Sequence, residues 1–176
     1  MRTLNDIVKS LVEITWQEVL IDHGNYYSPQ PVITELILYP KMPQLYPVTS
    51  NSVFDGLGEL FSEVNSHTES TKRRVKTELH GNVQHLELAW DGTPLNDESI
   101  ESINYAYQEG KRLSELPYKS GTRRAGYFLG LVDGKIIIEN FLDGVYITRN
   151  RIELPYKKGM KIPDVNIYTR RPIIQL

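Results

Sequence analysis

Two glutamates four residues apart are the first side chains whose spacing could support chemistry. Glu59 and Glu63 lie in a segment whose apolar residues recur every three or four positions, which predicts a helix over 51–68. Residues four apart are neighbours on a helix, so the two carboxylates are expected side by side. Two like charges in that position repel each other mildly unless water solvates them or a functional site uses them. The spacing is compatible with either a solvated acidic face or a site.

Other chemical motifs are scarce. The four histidines show no metal-ligand spacing of the HxxxH or HExxH type, and the chain has neither a GxSxG motif nor a cysteine. The run 121–126, Gly-Thr-Arg-Arg-Ala-Gly, is basic and begins with glycine, but it lacks the lysine of a phosphate loop. Backbone amides entering a helix there, together with two arginines, could hold an anion, and a solvated loop is the alternative.

Composition limits the remaining possibilities. The chain has 176 residues, 40% hydrophobic and 24% charged, with a net charge of −2, as expected of one globular domain with no general attraction for nucleic acid or anionic membrane. No apolar run approaches the length of a membrane span, and the amino terminus lacks the apolar core of a signal peptide. We therefore expect a cytoplasmic protein. Eleven tyrosines against four phenylalanines predict many rings at boundaries where the hydroxyl finds a partner.

The elements before the glutamate helix are predicted from apolar spacing and proline. Helical spacing extends over 4–22, and this helix either packs on its own domain or pairs with a second copy as a homodimer. Residues 25–50 contain five prolines around one apolar run, 32–39, which predicts a rigid connector with an edge strand. We divide the chain into an amino-terminal helix and connector over 1–50, a core over 51–155 and a basic tail over 156–176.

The core beyond the second helix is predicted to be a sheet with one embedded helical stretch. Strands over 73–80 and 83–90 form a hairpin, in which Gln84, Leu86, Leu88 and Trp90 make the better core face. A helix is predicted over 97–108, and a polar loop over 109–122.

A second hairpin is predicted over 135–154, with Asp143-Gly144 as its turn. Its first strand has isoleucines on both faces, so we expect the hairpin to lie inside the sheet. Replacing Ile137 or Ile138 by alanine should then cost about 2–5 kcal/mol, whereas replacing Arg149 or Arg151 should cost little.

The order of these pieces resembles the ATP-binding domain of histidine kinases, anti-sigma kinases, gyrase and Hsp90 (the Bergerat fold) over residues 53–155. The segment 59–68, Glu-Leu-Phe-Ser-Glu-Val-Asn-Ser-His-Thr, is similar to the family's acidic helix motif, and 86–95 occupies the place of its adenine-binding turn. The closing pattern of Gly134, strand, Gly144, Thr148 and a strand ending Leu154-Pro155 is the best match. The resemblance implies an α+β fold, a two-layer sandwich of a mixed, mainly antiparallel sheet with helices on one face.

The resemblance also implies ATP and Mg²⁺ as ligands and assigns roles to residues. Glu59 would orient an attacking water or hydroxyl, Glu63 would contribute to holding Mg²⁺, and Asp91 would accept a hydrogen bond from adenine. The remaining nucleotide-binding positions are Gly121, Thr122 and Thr148.

Several departures from the family pattern argue against turnover. Glu63 replaces the family's metal-binding asparagine and adds a negative charge beside the phosphates. The family's Asp-x-Gly-x-Gly turn is reduced to Asp-Gly-Thr-Pro over 91–94, and its Gly-x-Gly lid hinge is reduced to Gly-Thr-Arg-Arg over 121–124. ATP hydrolysis is therefore expected to be absent or barely measurable, and no cofactor follows from the residues alone. We expect a degenerate ATPase-like domain that regulates or binds a protein partner, with weak or no nucleotide binding. The alternative is a binding module unrelated to ATPases that uses its tyrosine-rich surface or its basic tail; nucleic acid and membrane are not expected partners.

Overall fold

The computed structural model describes residues 2–118 and 120–156. The four helices of this part are α1 (Leu4–Thr15), α2 (Pro47–His67), α3 (Asp97–Lys111) and α4 (Gly121–Gly130). Its nine strands are β1 (Arg2–Thr3), β2 (Glu18–Asp22), β3 (Tyr27–Pro31), β4 (Ile33–Ile37), β5 (Gln44–Leu45), β6 (Lys72–His80), β7 (Val83–Trp90), β8 (Lys135–Asp143) and β9 (Tyr146–Pro155). The predicted basic tail lies outside the described residues from residue 157 onward.

Five of the strands form one sheet in the order β4-β6-β7-β9-β8. Its strands pair antiparallel except for β4, which runs parallel to β6. Two further pairs, β1 with β5 and β2 with β3, are antiparallel and lie outside this sheet. The predicted fold class is confirmed: the protein is α+β, with helices packed on a mixed, mainly antiparallel sheet.

The two faces of the sheet differ in chemistry, as period-two alternation requires. The helix-covered face carries Val75, Leu86, Leu88, Ile152 and Leu154, all buried in one core with α1, α2 and α4. The predicted core face of β7 is confirmed, since Gln84, Leu86, Leu88 and Trp90 are all buried. The opposite face carries alternating arginines and glutamates, which pair with one another across the strands: Arg74, Glu87, Arg149, Glu139 and Arg151.

The predicted helix over 4–22 is wrong in its second half. Helix α1 begins with a capping box between Thr3 and Asp6 and ends at Thr15, and residues 18–22 form a strand paired with β3. Trp16 stops the helix because its indole stacks on Phe61 at 4.2 Å and donates a hydrogen bond to the Phe61 carbonyl. Beyond it the buried Val19 fits a strand as well as a helix. The apolar face of α1 packs on α2 in the core, as the one-domain interpretation expects.

The prediction that hairpin β8–β9 lies inside the sheet is wrong for β8. Strand β9 is internal, but β8 is an edge strand, and only its helix-facing side is covered. Ile137 is 40% exposed, whereas Ile138 is 5% exposed. The expected large cost of truncation therefore applies to Ile138 and not to Ile137.

Other boundaries moved by a few residues. The glutamate helix starts at Pro47, because proline suits the first helical turn, and α3 continues to Lys111. The predicted polar loop over 109–122 ends where α4 begins at Gly121, capped by the Ser120 side chain. The edge strand expected within 32–39 is confirmed as β4. Among the described residues, no helix is long and apolar enough to cross a membrane.

Candidate functional site

Helix α2 presents a ladder of three carboxylates toward α4. Glu59 and Glu63, expected side by side, are joined by Asp55 one turn earlier. All three are partly buried, and Arg124 of α4 lies within electrostatic range of Asp55 and Glu59. Asp55 was not among the site residues predicted from the sequence, although its spacing of four residues from Glu59 was the available signal.

The start of α4 lies directly against this ladder. A side chain at Gly121 would overlap the Glu63 carboxylate and would come within 3.1 Å of Glu59 Oε2. One turn later, Arg124 Nε lies 3.0 Å from Glu59 Oε1 and forms an ion pair that joins α4 to α2. The first-turn amides of a helix attract anions, so the carboxylates of α2 hold the position that an anionic ligand of these amides would need.

The close approach of α3 to α4 depends on glycine. A side chain at Gly126 would overlap the Tyr107 carbonyl of α3. Tyr107 is buried, and its hydroxyl donates to Asn150 Oδ1 of β9 at 3.0 Å. Burial, with the nearby Glu63 charge, raises the pKa of Tyr107 and keeps the hydroxyl protonated as a donor. Helix α4 is thus packed between α2, α3 and the sheet.

Burial raises the pKa of two carboxyls in the ladder. The pKa of Asp55 rises to about 6, chiefly because the group is taken out of water, while Arg124 opposes the rise and Glu59 adds to it. Asp55 Oδ2 is buried with no hydrogen-bond partner. The pKa of Glu59 is raised for the same main reason, with Arg124 opposing and Glu63 contributing. Arg124, with a smaller contribution from Arg2 at Asp55, therefore does not fully compensate the three carboxylates.

Asp91 lies where it was predicted, at the end of a strand, but its side chain is engaged with the backbone. It follows β7, and its Oδ1 accepts hydrogen bonds from the backbone N–H groups of Thr71 and Lys72, both at 3.1 Å. Its own N–H donates to the Lys72 carbonyl. Asp91 thereby holds the start of β6 to the end of β7.

A cavity of 550 Å³ opens beside Asp91, between the end of α2 and the turn after β7. From α2 and the residue after it, His67 and Thr68 contribute to the wall, rather than Glu59 and Glu63. The expected concavity with the helix is present at the helix end, one turn past Glu63. His67 Nε2 lies 3.3 Å from Glu63 Oε2, which connects the two regions.

The remaining predicted site residues divide between these two places. Thr122 lies in the first turn of α4, directly after Gly121, which lies against Glu59 and Glu63. Thr148 is buried on β9 opposite Trp90, and its hydroxyl donates to Asn140 Oδ1 at 3.2 Å. The structure therefore groups Glu59, Glu63, Gly121 and Thr122 in one place, and Asp91 with Thr148 at the end of β7 in another.

The residues present do not fit a Mg–nucleotide complex well. Within residues 2–118 and 120–156, no group of three or more histidine, aspartate or glutamate side chains is arranged to hold a metal ion. Glu59 is paired with Arg124, and Glu63 lies against the Gly121 backbone that would face a phosphate.

Comparison with solved structures identifies the fold. The structure is similar to the catalytic domain of the histidine kinase ThkA, with 14% identity, 88% of this chain and 93% of that chain covered, and a TM-score of 0.56. It is also similar to the mycobacterial sensor histidine kinase MprB, with 9% identity, coverage of 86% and 90%, and a TM-score of 0.54. Against the histidine kinase domain of an Erythrobacter litoralis blue-light activated kinase, identity is 11%, the TM-score is 0.54, and the chain spans 58% of that structure.

The chain thus has the fold of histidine kinase catalytic domains, as the resemblance in the sequence implied. At these identities the likeness concerns the fold alone. No family model matches the sequence, and neither does any curated protein sequence.

Proposed function

We propose that this protein is a degenerate histidine-kinase-type ATPase-like domain that acts as a regulatory or protein-binding module, with weak or no nucleotide binding. The observation that supports the proposal is the Glu59–Arg124 ion pair, with Glu63 against Gly121 at the start of α4. In a domain of this fold the resemblance places phosphates and Mg²⁺ at that position. Here the carboxylates of α2 occupy it, and a triphosphate would meet negative charge where it needs donors.

The proposal is tested by nucleotide-dependent stability. With about 1 mM ATP and Mg²⁺, a Kd of about 10 µM would raise the free energy of unfolding by about 2.7 kcal/mol, and a Kd weaker than the ATP concentration would raise it by less than about 0.4 kcal/mol. We expect the smaller value, with and without Mg²⁺. Stabilisation of the larger size by ATP would contradict the proposal.

A variant of the blocking charge provides the matched comparison. Glu63→Asn removes the negative charge and restores the family's amide oxygen at that position, so we expect it to increase stabilisation by Mg–ATP. Glu101→Asn removes the same charge from the exposed side of α3 and should change nothing. An equal response of the two variants would show that the Glu63 charge is not what excludes nucleotide.

The hairpin β2–β3 is our candidate for the protein-binding surface, and it takes the place of the predicted helix over 4–22. Leu20, Tyr26 and Tyr27 are strongly exposed on it, which agrees with the expected tyrosine-rich surface. The similarity in fold favours a relation to ATPases over an unrelated binding module. The β2–β3 surface could bind a partner in either case. Replacing the three residues by serine should abolish self-association in sedimentation experiments, if the partner is a second copy, without changing the unfolding free energy.

A cytoplasmic location, inferred from composition, belongs to the same proposal.

A further inference from the structure

The two edge strands of the main sheet, β8 and β4, differ in how far other described residues bond to their outer backbone groups. At the β8 edge, the Asn104 amide of α3 brackets one residue: its Nδ2 donates to the Ile138 carbonyl at 3.0 Å, and its Oδ1 accepts from the Ile138 N–H at 2.8 Å. Asn140 of β8 holds the loop before α3 against the same edge, because its side chain donates to the Leu95 carbonyl at 2.7 Å and accepts from the Leu95 N–H at 3.1 Å. The Asn104 side chain therefore takes up the N–H and carbonyl of Ile138 that an added strand would need, which is one way in which proteins block a sheet edge.

Within β4 itself no described side chain bonds to the outer backbone groups, and only the Val32 N–H, just before the strand, is taken up, by the Gln17 carbonyl at 3.0 Å. Strand β4 pairs with β6 on one side only. Ile33 is 66% exposed, Leu36 41% and Ile37 42%, so the strand is apolar on both of its faces. A bare, apolar edge strand is a template for a further strand.

Residues 157–176 fit this edge in charge. They carry five basic side chains and one acid, a net charge of +4. Because the whole chain has a net charge of −2, residues 1–156 have a net charge of −6. Glu35 is exposed at the centre of β4 and pairs in register with Arg74 on the charged face of the sheet.

The position where this segment begins also fits. Strand β9 ends at Pro155 opposite Val83, and Val83 is opposite His80 at the end of β6. Since β4 is parallel to β6, the chain leaves β9 at the carboxyl end of β4, three strand spacings or about 14 Å away. The eight residues 157–164 can span up to about 26 Å, so a following segment can reach β4 and run antiparallel to it.

The sequence of that following segment is suited to a strand. Residues 165–169 read Val-Asn-Ile-Tyr-Thr, in which four of the five types favour β structure, and in a strand Val165 and Ile167 would share one face. We propose that residues 165–169 dock on β4 of the same chain as a sixth, antiparallel strand of the sheet. Val165 and Ile167 then cover Leu36 on the helix-facing side, and no second molecule is needed to occupy the edge.

Disulfide trapping in the full-length chain tests the docking. Because the sequence has no native cysteine, only the introduced cysteines can form a disulfide. Leu36→Cys is combined in turn with Val165→Cys, Ile167→Cys and Thr169→Cys, which lie on one face and sample registers two residues apart. The matched control pairs each tail cysteine with Leu142→Cys, which is exposed on the bracketed β8 edge. We expect at least one Leu36 pair to form an intramolecular disulfide more than about tenfold faster than its control, because cross-strand neighbours lie within disulfide reach.

Two results would overturn the proposal. The first is that no Leu36 pair exceeds its control, and the second is that the disulfides join two chains, which would place a second copy on the edge. Amide hydrogen exchange of residues 33–37 gives an independent measurement in cysteine-free protein. Ile167→Pro should accelerate exchange there about tenfold or more, because proline cannot donate to a ladder, while Ile174→Pro should not. Unchanged exchange in Ile167→Pro would also refute the docking.

Discussion

Replacing Asp55 by asparagine should stabilise the protein near neutral pH and not in acid. Asp55 is partly buried on α2, its Oδ2 has no hydrogen-bond partner, and Glu59 lies one turn away. The pKa of the carboxyl is raised from its ordinary 3.8 to about 6, with burial as the largest cause. Because the folded protein holds this proton more tightly than the unfolded chain, ionisation of Asp55 lowers stability by its full amount above pH 6, and the cost disappears only as the pH falls below 3.8.

The expected change in stability follows from the difference between the pKa values of Asp55 in the folded and unfolded states. For a fully shielded group, a pKa change from 3.8 to about 6 corresponds to about 3 kcal/mol. Asp55 is in part open to water, which screens its interactions, so we expect about 1 kcal/mol. The Asp55→Asn variant should therefore be about 1 kcal/mol more stable than the natural protein at pH 7.5 and nearly equal to it at about pH 3.

Urea unfolding followed by circular dichroism across this pH range provides the measurement. The difference between the two proteins isolates Asp55 from other carboxyls, such as Glu78 and Glu139, whose lowered pKa values make stability rise with pH. Glu101→Gln is the matched control, because it removes an exposed carboxylate from another helix. A stability difference that does not depend on pH, or that grows as the pH falls, would refute the conclusion that the ionised Asp55 carboxylate destabilises the fold.

Two further predictions concern the core. Arg73→Ala should destabilise the protein by about 3 kcal/mol in urea unfolding, because the buried guanidinium donates to Asn65 Oδ1 and to the side chain and carbonyl of Ser70, and lies over Trp16. Arg73→Lys should recover less than half of the loss, since an ammonium cannot reproduce the planar fork; full recovery would contradict the geometric argument. Ile138→Ala should cost about 2–4 kcal/mol and Ile137→Ala less than about 1 kcal/mol, and equal costs would show that β8 is covered on both sides.

Much of the architecture followed from local patterns in the sequence. The period-two alternation over 83–90 identified the core face of β7, and the helical period over 53–64 identified the buried side of α2. The turn at Asp143-Gly144 followed from residue type, since Gly144 adopts a positive φ of 60°. These features depend on residues close together in the chain, so the sequence alone was enough to determine them.

Other features depend on residues distant in the sequence, and only the tertiary structure decided them. Helix α1 ends at Thr15 because Trp16 packs on Phe61 of α2, and apolar spacing alone could not distinguish the following strand from more helix. The alternation within β8 is the same whether the strand is internal or at an edge, so the exposure of Ile137 depended on the order of strands in the sheet. Likewise, the spacing of α2 placed its carboxylates on one side, but only the packing of α4 brought Arg124 and Gly121 against them, because charge pairing between helices depends on how the helices pack.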